Sequence, residues 1–141
     1  MAKTFLQQLL SVFKRKTYTI SPESFKAQFA AVDSGAMKVV EVNNPLNKWN
    51  AISYKANQLK HIKAVDADGI PVTLQNSPAM ETRIILKNGK KHHFYFDTLL
   101  LENEILKGSK SKFIPTLSGN IPFESIEKIE IQNGGKNFNY Q

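Results

Sequence analysis

One stretch decides the fold: Met80-Glu81-Thr82-Arg83-Ile84-Ile85-Leu86-Lys87-Asn88-Gly89-Lys90-Lys91-His92-His93-Phe94-Tyr95-Phe96. Met80, Thr82, Ile84 and Leu86 alternate with Glu81, Arg83, Ile85 and Lys87, the period-two pattern of a strand with one buried face. Asn88-Gly89 then turns the chain back. A two-residue turn would set Phe94 opposite Arg83 and Phe96 opposite Glu81, mixing core and solvent faces. A three-residue loop, Lys87-Asn88-Gly89 with Gly89 in the left-handed region, instead pairs Ile84 with His92, Thr82 with Phe94 and Met80 with Phe96. The register therefore predicts a bulged three-residue hairpin.

Downstream come a leucine run at 99–101, a strand over 104–107, a Gly108-Ser109-Lys110 turn and a strand near 113–117. Ile121-Pro122-Phe123-Glu124-Ser125-Ile126 reads as an extended pair entering one tight helical turn. A last strand over 127–132 follows and buries Ile129 and Ile131. Five short strands with a helical turn before the last, over about residues 80–132, are similar to small Sm-like barrels. The likeness is architectural and implies no activity, because such folds host many unrelated functions.

Upstream, Thr4-Phe5-Leu6-Gln7 fits a capping box, and apolar residues recur at 5, 6, 9, 10 and 13, predicting an amphipathic helix over about 5–14. Ser21-Pro22-Glu23 predicts a second helix over about 22–33, with Phe25, Phe29 and Val32 on one face and Gly35 as terminator. Residues 37–42 are β-rich and end at the turn cluster Asn43-Asn44-Pro45. Residues 49–54 and 59–65 are weaker strands. Asp66-Ala67-Asp68-Gly69 is a turn, and residues 70–74 form an edge strand because Pro71 cannot donate to a ladder. The expected fold is α+β: two N-terminal helices with short strands, then the antiparallel barrel-like sheet. Residues 1–141 are read as a single domain, with sub-parts 1–75 and 76–141 meeting at Gln75-Asn76-Ser77-Pro78.

Leu, Ile, Val and Phe supply 40 of the 141 residues, enough for a packed core. Cysteine is absent, which excludes disulfides, thiolate metal sites and cysteine nucleophiles. No apolar run reaches a membrane span, and the N-terminus lacks the order of regions of a signal peptide, so a cytoplasmic protein is expected. The net charge is +7, and all of the excess lies in residues 1–65. That asymmetry points to an anionic partner. Only Arg15 and Arg83 are arginine, however, and a lysine-dominated surface suits loose phosphate contact better than base-specific reading.

The motifs of enzymes fail one by one. His92 and His93 are strand neighbours and point to opposite faces, so they do not chelate one metal. Asp66 opens a sequence like a calcium loop, but Ile70 falls where an oxygen ligand is required and Ser77 where a bidentate Glu is. Glycine-rich phosphate loops and the nucleophile elbow are missing, and S-x-x-K matches such as Ser11–Lys14 and Ser109–Lys112 are what chance supplies. The sequence therefore points away from an enzyme, with no catalytic residue, metal or cofactor expected. Two readings remain. The first is a non-enzymatic protein-interaction or assembly module whose partner is another protein or a second copy. The alternative is a nucleic-acid-binding protein using the basic N-terminal half, with Lys14, Arg15, Lys16, Arg83, Lys91, His93 and Tyr95 as candidate binding residues. Peripheral membrane contact through residues 5–14 ranks behind both.

Overall fold

The structure is a computed structural model and describes residues 16–114 and 117–141. In chain order the described strands are β1 (Thr17–Ile20), β2 (Lys38–Val42), β3 (Ile52–Ala56), β4 (His61–Val65), β5 (Pro71–Gln75) and β6 (Met80–Leu86). They continue as β7 (Lys91–Tyr95), β8 (Leu100–Glu102), β9 (Ile105–Ser109), β10 (Ser118–Pro122) and β11 (Ile126–Asn133). One α-helix, α1 (Pro22–Gln28), is present among the described residues.

The predicted hairpin is β6–β7. Ile84 pairs with His92 and Thr82 with Phe94, and Gly89 sits at φ 89°, as the three-residue loop requires, but the expected Met80–Phe96 pair does not form because Phe96 opens a 3-10 turn. It ends a six-stranded antiparallel sheet in the order β5-β4-β1-β11-β6-β7. The proline-bearing β5 lies at the opposite edge, where a missing N–H costs no ladder bond. The remaining strands form a three-stranded sheet, β10-β9-β8, and a two-stranded hairpin, β2–β3.

Alternation places Ile20, Ile62, Thr82, Ile84, Phe94, Ile129 and Ile131 on one face of the large sheet, all buried. α1 covers that face because its sequence carries both a start signal and an apolar stripe. The Ser21 hydroxyl accepts the Ser24 N–H at 3.1 Å, Pro22 sits in the first turn, and Phe25 and Phe29 stack with centroids 4.0 Å apart. Burying each ring contributes about 1.5–3 kcal/mol. The small sheet covers the rest, with Gly108 and Gly119 paired across β9 and β10 against the face of Phe94.

The architecture corrects the expected fold class. The described chain is mostly antiparallel sheet with one short helix, and no barrel closes. Closure would require the last strand to return to the small sheet. Instead β11 is flanked by β6 and by β1, a strand from outside the barrel-like region. The 3-10 turns Phe96–Thr98 and Phe123–Ser125 break the ladder on either side of β8–β10, so those strands form a separate layer. The turn before the last strand is present where expected, but the barrel around it is not. The second helix stops at Gln28 rather than at residue 33, because Ala30 already bonds back only three residues to Ala27 and the Val32 carbonyl accepts the Leu101 N–H at 2.8 Å. The strand expected near 113–117 begins instead at Ser118. The helix predicted over 5–14 lies outside the described residues, so two N-terminal helices are not what the structure describes.

Candidate functional site

The β2–β3 hairpin is an arm held against the body along its strands, with Val42 and Ala56 both wholly buried. Its polar anchors come from four separated segments. Tyr54 of β3 and Tyr140 of the C-terminal tail both donate to Asp97 Oδ2, the latter at 2.8 Å. Lys112 Nζ donates to Asp97 Oδ1 at 2.8 Å and to the Tyr54 hydroxyl oxygen at 2.6 Å. Both charged side chains are 0% exposed. The ammonium also lies 4.0 Å from the Tyr54 ring centroid and 4.6 Å from that of Tyr95, and Phe138 closes the cage at 6.0 Å.

Each position follows from local structure. Asp97 occupies the 3-10 turn that ends β7, which points its carboxylate away from the ladder. Its carbonyl accepts the Asn57 N–H at 2.7 Å, and the Asn57 amide donates to the Phe96 and Leu99 carbonyls at 3.0 Å each. The tail lies along β2, with Gln141 N–H on the Glu41 carbonyl and Asn43 N–H on that of Asn139. Burial pushes the Lys112 ammonium below its usual range, and the Asp97 carboxylate opposes the shift. Burial first, then the Asp97 charge, pushes the Tyr54 and Tyr140 phenols well above theirs. The cluster is therefore a network of satisfied charge and hydroxyls that roots the arm.

The far end of the arm has a different character. Leu46 is 82% exposed and Trp49 85%, both on the connection from β2 to β3. The loop is stiffened by its asparagines. Asn44 Oδ1 accepts the Leu46 and Asn47 N–H groups at 2.9 and 3.2 Å, and Asn47 Oδ1 accepts the Trp49 N–H at 3.1 Å. Lys48 Nζ stands 5.3 Å from the centroid of Trp49. Two large apolar side chains are thus held in water by turns that need no partner.

The residues singled out from sequence are distributed otherwise. The β6–β7 register brings Arg83, Lys91 and His93 to the face opposite the core. Arg83 Nε donates to Glu130 Oε1 at 2.8 Å, which neutralises its charge locally while the side chain stays partly exposed. Lys91 and His93 are exposed. Tyr95 shares that face but is buried beneath the tail with Phe138, Val42 and Ala79, and its hydroxyl accepts from Lys136 Nζ at 3.0 Å. Lys16 is exposed just before β1, while Lys14 and Arg15 lie outside the described residues.

Sequence reasoning missed Asp97, Lys112, Tyr54 and the loop tip. Asp97 did carry a signal: an acid inside the apolar run 94–101 needs a buried partner. Lys112 carried none, being one lysine of Ser109-Lys110-Ser111-Lys112. Among the described residues no group of three or more His, Asp or Glu side chains is placed to hold a metal, and no helix is long and apolar enough to cross a membrane. Comparison with family models, curated proteins and solved structures finds no match to this chain.

Proposed function

We propose that this protein is a non-enzymatic interaction module that docks on another protein through the tip of the β2–β3 arm. The observation that carries this reading is the near-complete exposure of Leu46 and Trp49 in a loop already ordered by its own hydrogen bonds. Exposing a tryptophan and a leucine together forgoes about 3–6 kcal/mol of burial unless a partner recovers it. Tryptophan is enriched among the anchors that carry binding energy at protein interfaces, and a preordered loop has little conformational entropy left to lose on docking.

The surroundings favour a protein over a lipid surface. Asn44, Asn47 and Asn50 neighbour the two apolar residues along the loop, Asn47 and Asn50 exposed and Asn44 half-buried, which sets polar amides beside an apolar centre. Entering hydrocarbon would strip water from those amides without replacing it, whereas a protein rim offers acceptors. Lys48 is the only charged residue from 43 to 51, so the complementary pocket is apolar with an acidic edge.

Affinity capture from native lysate tests the reading, comparing the wild type with the Leu46→Ser/Trp49→Ser double variant, each with and without nuclease. The expected result is a protein retained by the wild type, resistant to nuclease and lost by the variant. Retention that ignores the tip, or that vanishes with nuclease, overturns it.

A further inference from the structure

The arm does not lie flat on the small sheet. Between them runs a cleft of about 450 Å³. One wall is the outer face of β9 and β10, where register aligns Lys107 with Asn120 and Ser109 with Ser118. These residues alternate with Leu106, Gly108 and Ile121, which face the core, so the polar side chains are gathered on the cleft side. The other wall is β3, which borders the cleft from Ser53 to Lys55, while Met37 and Leu100 supply apolar floor.

The chemistry of this lining is one-sided. Among the described residues its charged lining is Lys55, Lys107 and Lys112, with no acid. Lys112 is spent on Asp97 inside the cage. Lys107 meets Glu102 only at 3.5 Å, and Lys55 makes no ion pair among the described residues. Asn120 and Ser118 add an amide and a hydroxyl donor beside them. Lys55 and Lys107 thus stand on facing walls above an apolar floor, and the carboxylate that meets Lys107, that of Glu102, is held by Ser34 and lies outside the lining.

We propose that this cleft binds a small organic anion, with its apolar or aromatic body on Met37 and Leu100 and its oxyanion between Lys55 and Lys107. Carboxylate, sulfonate and phosphate share the needed chemistry: full negative charge and oxygens that accept from ammonium, hydroxyl and amide together. The site is separate from the arm tip and does not depend on the tip's role.

The probe is 1-anilinonaphthalene-8-sulfonate, an aromatic anion whose emission rises on leaving water. The full-length protein is titrated by fluorescence, and its amide resonances are followed by NMR. Saturable one-to-one binding is expected, with shifts at Lys55, Lys107, Ser118 and Asn120, and with affinity falling roughly tenfold or more in Lys55→Ala/Lys107→Ala. Leu46→Ser/Trp49→Ser should bind as the wild type does, and so should Lys60→Ala/Lys63→Ala, which removes equal charge elsewhere. Equal losses in the two lysine pairs would reduce the effect to overall charge and overturn the proposal. So would shifts centred on the tip, or no saturation by about 1 mM. N-phenyl-1-naphthylamine, the same rings without the sulfonate, and inorganic phosphate then separate the body from the headgroup; neither should match the combined probe.

Discussion

Replacing Lys112 with methionine removes the ammonium from a cage in which it and Asp97 are both wholly out of water. Methionine fills similar space, so the perturbation is electrostatic rather than steric. The Asp97 carboxylate keeps two phenol donors, Tyr54 and Tyr140, but loses its one counter-charge. Orphaning one member of a buried pair costs about 3–5 kcal/mol. Against a total stability of about 5–15 kcal/mol this is a large fraction, and it lowers Tm by roughly 10–20 °C for a chain of this length. Urea unfolding followed by far-UV circular dichroism measures it, since the only tryptophan is Trp49, too exposed for its emission to report on the core. Lys112→Met/Asp97→Leu should be less destabilised than the two single losses added together, because neither charge is then left alone. It should not return to wild type, since both phenols lose their acceptor at about 1–3 kcal/mol each. A loss below about 1 kcal/mol for Lys112→Met, or strict additivity in the cycle, would refute the view that the pair is electrostatically closed.

The same cluster sets an alkaline limit. Tyr54 and Tyr140 titrate higher when folded than when unfolded, so the folded state holds more protons above about pH 10 and stability falls as pH rises there. Lys112 is shifted the other way and partly offsets this, binding its proton more weakly when folded. With two phenols against one amine the net slope is downward, and Tyr54→Phe/Tyr140→Phe should flatten it in urea midpoints measured between about pH 9.5 and 11.5. A Cβ on Gly108 would lie 2.7 Å from Leu99 Cδ2 and 2.9 Å from Phe94 Cδ1; Gly108→Ala should therefore lose about 1–3 kcal/mol in the same assay. Gly35→Ala, whose nearest neighbour is Asp33 Oδ1 at 3.4 Å, should change stability by less than about 0.5 kcal/mol. Trp49→Ala should leave stability within about 0.5 kcal/mol while abolishing partner capture, and a large stability loss would mean the ring is part of the fold.

Local features were legible where the pattern is carried by near neighbours. The β6–β7 register could be derived because only one loop length keeps Ile84 and Phe94 on the buried face. The edge position of β5 followed from Pro71, and the start of α1 from Ser21 and Pro22. Its end was misjudged because Val32 serves β8, a partner 69 positions along the chain. The loop tip was half visible: Asn43-Asn44-Pro45 marked a turn, but Trp49 read as the start of a strand, since aromatic residues favour strands wherever a covering layer exists.

Sequence by itself determined the strand-rich second half, its hairpin geometry, the 3-10 turn before the last strand and the absence of cysteine chemistry. These are encoded in i, i+2 alternation and in turn residues, which act over a few positions. Only the tertiary structure decided that β1 inserts beside β11, that the barrel stays open, and that Lys112 rather than Lys110 is buried against Asp97. Those outcomes depend on which distant surfaces bury each other best. Hydrophobic burial is non-directional, so a run of alternating residues specifies that a face will be covered without specifying by what.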